Sequence, residues 1–166
     1  MTAPKSLEMV DVFADLNREQ LTKIFLICHE EQYQPGDLIF EEGSPSNDIY
    51  VILDGKVEIL VNASQSQESF EHQELRRITT LERGQSFGEI ALVDEGLRSA
   101  SARCSSEPCR LLIIKRDDLM ALMRSNLDIG FTVMTNLAAD LCLKIRHTNF
   151  LAREQLLYKP SGQAEK

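Results

Sequence analysis

The spacing of apolar residues changes character twice along the chain. From Leu7 to Cys28 it predicts helix. Phe13, Leu16, Leu21, Ile24, Phe25 and Cys28 share one face, with a break at Asp15–Leu16 and Asn17 as an N-cap. The period then shortens. Tyr33-Gln-Pro-Gly36 reads as a turn, Leu38–Phe40 as a short strand and Gly43–Asn47 as another turn. Ile49–Leu53 is a continuous apolar strand. Asp54-Gly55 follows directly, a strong hairpin signal when both turn residues take positive φ. The return strand Lys56–Val61 alternates, placing Val57, Ile59 and Val61 on one face. Asn62–Ser69 is polar and reads as an exposed loop. Strand character resumes over Leu75–Leu81 and ends at Gly84. A further strand pair, Ser99–Cys104 with Arg110–Lys115, is expected around the Ser105–Pro108 turn. Helical spacing returns with a short helix from Asp117 to Met123 and a long one from Leu127 to Tyr158. Helices, many short strands at turn-marked intervals, then helices again predict a small antiparallel β-barrel or roll flanked by helices.

Composition changes this picture little. The 166 residues fit one domain plus an appendage, and 43% apolar with 27% charged residues is ordinary globular usage. Eighteen Lys and Arg stand against 26 Asp and Glu, a net charge of −8, which argues against nucleic acid or an anionic membrane as partner. No apolar run reaches the ~18–20 residues of a membrane span, and the N-terminus lacks the apolar core of a signal peptide. A cytoplasmic location is therefore expected. Cys28, Cys104, Cys109 and Cys142 form no C-x-x-C and read as free thiols in a reducing compartment. His29, His72 and His147 are scattered, so no metal site is expected.

Candidate chemistry concentrates between Gly84 and Ser101. Gly88 permits close backbone approach, and Glu89-Ile-Ala-Leu-Val can open a helical turn whose first N–H groups suit an anion. Arg98 offers a planar fork of donors matched to phosphate, and Glu89 offers acceptors for sugar hydroxyls. On their own these residues favour a plainer account, a structural Glu89–Arg98 ion pair with Gly88 as a turn glycine. No catalytic arrangement competes. Ser86, Ser99 and Ser101 have no neighbouring His as base, and only His72 falls within the strand region, too few for a metal-dependent roll enzyme.

The wider pattern resembles the cyclic nucleotide-binding domain family. The resemblance runs from Val12-Phe13-Ala-Asp-Leu16 and Glu19-Gln-Leu21 through Tyr33-x-x-Gly36-Asp-Leu-Ile-Phe40-x-x-Gly43. It continues in Tyr50-Val-Ile-Leu-Asp-Gly55-Lys-Val-Glu-Ile59 and in Phe87-Gly-Glu-Ile-Ala-Leu92 with Arg98-Ser-Ala100. It implies an eight-stranded, jelly-roll-like antiparallel β-roll with N-terminal helices and a C-terminal hinge and lid helix. The implied divisions are a roll over 7–125, a lid or dimerisation helix over 126–158 and a disordered tail over 159–166. By resemblance, Arg98 pairs with the cyclic phosphate and Glu89 takes the ribose 2′-hydroxyl. Phe87, Gly88, Ile90, Ala91, Ser99 and Ala100 complete the contacts. Gly36, Gly43, Gly55 and Gly84 serve turns.

Ser99 stands where Thr resembles cGMP-preferring kinases and Ala resembles cAMP-preferring ones. The catabolite activators carry Ser there with cAMP, so cAMP is the expected ligand and cGMP the alternative. Lys144 and Ile145, with His147 and Thr148 nearby, are the candidates to cap the base. The activators have small hydroxyl residues at the first two positions, and this chain does not. No cofactor is implied. The chain is expected to act without its own output domain, through lid-helix movement on an unidentified protein effector or a second copy. Met134, Leu137, Leu141, Thr148 and Leu151 would give a coiled seam interrupted by Lys144, or would lie on the roll. The alternative from another class is a ligand-free roll that serves as a protein-interaction scaffold.

Overall fold

The computed structural model describes residues 5–157, apart from 46, 63–74, 95 and 106. Most of the expected polar loop, His72 and the expected disordered tail lie outside the described residues. Two short 3-10 turns, Lys5–Met9 and Asp11–Phe13, precede α1 (Arg18–Phe25). The strands are β1 (Cys28–Tyr33), β2 (Leu38–Phe40), β3 (Asp48–Asp54), β4 (Lys56–Asn62), β5 (Leu75–Glu82) and β6 (Ser86–Phe87). After the single turn α2 (Ile90–Val93) come β7 (Ser101–Cys104) and β8 (Cys109–Lys115). Helices α3 (Arg116–Ser125) and α4 (Leu127–Leu157) close the chain. Two four-stranded antiparallel sheets result, ordered β1-β8-β3-β6 and β2-β7-β4-β5. This is the predicted eight-stranded antiparallel roll with flanking helices.

The layering explains the apolar runs. β3 and β8 are covered on both sides, so their alternating faces are both apolar. Ile49, Val51, Leu53, Leu112 and Ile114 pack against the helical layer of Leu7, Phe13, Ile24, Leu119, Ile129, Val133 and Leu137. Tyr50, Ile52, Leu111 and Ile113 face Val57, Leu81 and Ala102 of the second sheet. Each fully buried Leu or Ile in these layers contributes about 1.5–3 kcal/mol.

Four expectations are corrected. The opening segment is three helical pieces and a strand. The break at Asp15, φ 64°, and the cap at Asn17 are as expected, and Gln20 completes a reciprocal capping box. The chain extends at Cys28, where His29-Glu-Glu-Gln32 has no apolar residue to continue a buried helical face. Asp54-Gly55 is not a hairpin. β3 pairs with β6 and β8, whereas β4 pairs with β5 and β7, and only Gly55 has positive φ, at 82°. The chain turns a corner between sheets there. β7 and β8 likewise belong to different sheets, and β7 begins at Ser101 rather than Ser99. Finally, the β4 alternation is incomplete: Leu60 is buried as well as Val57, and Val61 is only half-buried, with the register to β5 shifting between Ile59 and Leu60.

The expected seam along α4 also divides. Leu137 is buried in the helical core with Leu141 packed against it, Met134 is exposed, and Thr148 and Leu151 face a hollow beside the roll.

Candidate functional site

Burying a polar side chain costs free energy unless it is paired, and burying a charge costs more. Among the described residues the buried polar and charged side chains are Ser86, Glu89, Arg98 and Ser101. They fall within one short stretch of chain, spanning β6, α2 and the start of β7.

The backbone places Arg98 firmly. Its N–H donates to the Ser44 carbonyl at 2.9 Å, and its own carbonyl accepts from the Gly43 N–H at 2.8 Å. Its guanidinium lies 4.1 Å from the Phe40 ring centroid and 5.5 Å from that of Tyr50. Cation–π contact of this kind contributes about 0.5–2 kcal/mol. Nη2 donates to the Asp48 carbonyl at 3.0 Å and Nη1 to the Gly88 carbonyl at 3.4 Å. Nε is buried without a partner. Burial pushes the Arg98 pKa down from its ordinary value, against the upward pull of Tyr50, Asp48 and Glu89. An enclosed guanidinium with one unpaired N–H is a place where an anion gains more than it would at the surface.

Gly88 makes this arrangement possible. A Cβ there would lie 2.6 Å from Arg98 Nη1 and 3.0 Å from the Asp48 carbonyl oxygen. Phe87 supports the other side, stacked on Tyr50 with ring centroids 5.0 Å apart and 5.9 Å from Phe40. Ser101 Oγ accepts from the Glu42 N–H at 2.9 Å, pinning the strand that leaves the stretch.

Glu89 and Arg98 do not form the plain ion pair that composition favours. The Glu89 side chain is 8% exposed and pairs instead with Lys144 of α4, Oε1 to Nζ at 2.6 Å. Both charges border a hollow of about 820 Å³ between the roll and α4. Phe87, Gly88, Glu89, Ile90, Arg98, Ser99 and Ala100 all line it. Ala91 belongs to α2. Ile145, expected near the base, is 59% exposed and does not line the hollow. Lys144 does, but its ammonium is engaged with Glu89, Asp140 and the Ser86 carbonyl.

His147 and Thr148, expected near the base, do line the hollow. Sequence reasoning missed other parts of the wall: Ile78, Leu81 and Leu143 add apolar surface beside Ile59 and Leu151, and Thr79 and Gln85 add polar groups. The spacing of Leu143, His147 and Leu151 on one helix face carried that signal. The mixture suits a flat, partly polar ring system, with an anionic group at the Arg98 end.

Elsewhere, burial pushes the Cys28 and Cys109 thiols up to about 12, and all four cysteines are free. Among the described residues no group of three or more His, Cys, Asp or Glu could hold a metal ion. No described helix is long and apolar enough to cross a membrane.

Comparison with known proteins agrees with this geometry. The family model described as "Cyclic nucleotide-binding domain" matches residues 30–126. The chain belongs to the cyclic nucleotide-binding domain family. It is 34% identical over 123 residues to the cGMP-dependent protein kinase isozyme 2, forms cD5/T2, of Drosophila melanogaster. That match covers 74% of this chain and 12% of the kinase. It is 33% identical over 138 residues to the cyclic AMP receptor protein of Thermus thermophilus, covering 83% of this chain and 58% of that protein. The crystal structure of the Thermus thermophilus catabolite activator protein superposes with a TM-score of 0.71 at 30% identity. The superposition covers 87% of this chain and 62% of the other. The chain thus spans a small fraction of the kinase and just over half of the receptor protein.

Proposed function

We propose that this chain is a cAMP-responsive regulatory module that passes ligand occupancy to a protein partner or a second copy through movement of α4. The observation that carries this reading is the unpaired, buried Nε of Arg98 at the edge of a hollow whose opposite wall is α4. A cyclic phosphate satisfies that N–H, Glu89 takes the 2′-hydroxyl, and the purine lies among Ile59, Leu81, Leu143 and Leu151. Occupancy changes the contacts of α4 because α4 is part of the wall. A ligand shifts a helix only to the extent that it binds the two arrangements differently.

Ser99 and the longer match to the Thermus receptor favour cAMP, while the kinase match keeps cGMP as the competitor. Melting curves with each nucleotide side by side test both points. At 100 times its dissociation constant the ligand adds about 2.7 kcal/mol, which raises the melting temperature by roughly 5–11 °C. The larger shift is expected with cAMP, and Arg98→Ala should abolish it. No shift with either nucleotide would return the chain to the role of an interaction scaffold.

A further inference from the structure

Helix α4 meets the body in two ways. Ile129, Val133 and Leu137 are buried, and Asn136 donates to the carbonyls of Val12 at 3.4 Å and Ala14 at 2.8 Å. Beyond Leu141 the contact is polar. Lys144 Nζ donates to Glu89 Oε1 at 2.6 Å and to the Ser86 carbonyl at 3.3 Å, and lies 2.8 Å from Asp140 Oδ2.

We propose that Lys144 is the positioning residue of the sugar site. It fixes the Glu89 carboxylate for a ribose 2′-hydroxyl and keeps that carboxylate off Arg98, so that docking of α4 and recognition of the sugar are one event. The inference rests on the reading of Arg98 and Glu89 given above. A carboxylate as enclosed as Glu89 needs a counter-charge. Two cations border the hollow, and Arg98 still has an unpartnered N–H to offer. Were Glu89 to take it, the phosphate would have to compete for the same donor. Lys144 removes that competition by holding Oε1. No described residue hydrogen-bonds Oε2, which leaves an acceptor for a hydroxyl. Two hydrogen bonds and the nearby Asp140 carboxylate hold the ammonium at the sugar end of the hollow. Burial works against its charge, but Glu89 and Asp140 outweigh this and hold its pKa above the ordinary value.

The test compares cAMP with 2′-deoxy-cAMP by calorimetric titration of the full chain. Wild type should prefer cAMP by about tenfold, the worth of one charge-assisted hydrogen bond. In Lys144→Met the preference should fall to about one, and Lys144→Arg should restore it. Lys144→Gln serves the same purpose if the Met variant folds poorly. If Lys144→Met weakens both ligands equally and keeps the tenfold preference, Lys144 only props the helix and the proposal fails. If wild type binds neither nucleotide, the functional reading fails instead. Amide exchange in residues 142–152 then decides the docking role: acceleration of about tenfold in Lys144→Met supports it, and no change overturns it.

Discussion

Gly55 and Gly88 have nearly the same backbone, with φ of 82° and 75°, and neither leaves room for a Cβ. What crowds them differs. At Gly55 the neighbours are the Pro108 carbonyl oxygen at 2.6 Å, Cys109 Cβ at 2.7 Å and Cys109 Cα at 2.8 Å. These atoms belong to the second inter-sheet corner and cannot yield without moving a strand. At Gly88 the nearest atom, at 2.6 Å, is the tip of the Arg98 side chain, which can swing away, and the Asp48 carbonyl oxygen at 3.0 Å crowds it less than the backbone crowds Gly55. One glycine closes the roll, and the other makes a berth for a cation. The same substitution at the two positions should therefore harm different properties.

Gly55→Ala should have the largest effect. Strain at positive φ and overpacking against backbone together cost about 4 kcal/mol. The melting temperature should fall by roughly 8–16 °C, while the folded fraction binds nucleotide with unchanged affinity. A normal melting curve would mean the two corners are not locked together. Gly88→Ala should come next. It should lower stability by about 1–2 kcal/mol, because the guanidinium moves in place of the backbone. Titration should show nucleotide affinity reduced by about tenfold or more, and retained affinity would break the contrast. The smallest effect belongs to Glu58 on the outer sheet. It joins β4 to Arg103 of β7 at 2.9 Å and to Arg77 of β5 at 3.1 Å.

The hydrogen bond from Arg103, reinforced by Arg77, lowers the Glu58 pKa below its ordinary 4.5. A depressed folded pKa means the stabilisation is present above pH 4.5 and is lost as pH falls through the folded value. After screening by solvent, Glu58→Gln should cost about 0.5 kcal/mol at neutral pH and nothing in acid, as equilibrium unfolding across pH will show.

Where the sequence was legible, one residue's environment determined its type. β3 and β8 are sandwiched between layers, and their apolar runs announce them. The Asn17 cap is local and equally plain, although its reciprocal partner Gln20 was not read. β1 was missed because its residues are half-buried or exposed, and Cys-His-Glu-Glu-Gln-Tyr has no apolar alternation to read. Asp54-Gly55 shows how local signals mislead. A turn signal says that the chain reverses, and nothing about which strand will lie alongside. The same limit applies to the site. Gly88, Glu89 and Arg98 stand close together in a recognisable motif. Lys144 reaches Glu89 across 55 residues, so the resemblance offered it only as a candidate for the base and no local pattern joined it to the carboxylate.

The 31-residue terminal helix is about 46 Å long. Its firm pivot lies near Leu137, roughly 30 Å from its far end. A tilt of about 10° at that pivot would sweep the tip through roughly 5 Å, about one helical turn. The same tilt moves Lys144, roughly 10 Å from the pivot, by only about 2 Å, so a shift at the hollow is enlarged about threefold at the tip. Under the function proposed above, the leverage of this rod on anything docked at its tip is set by its length.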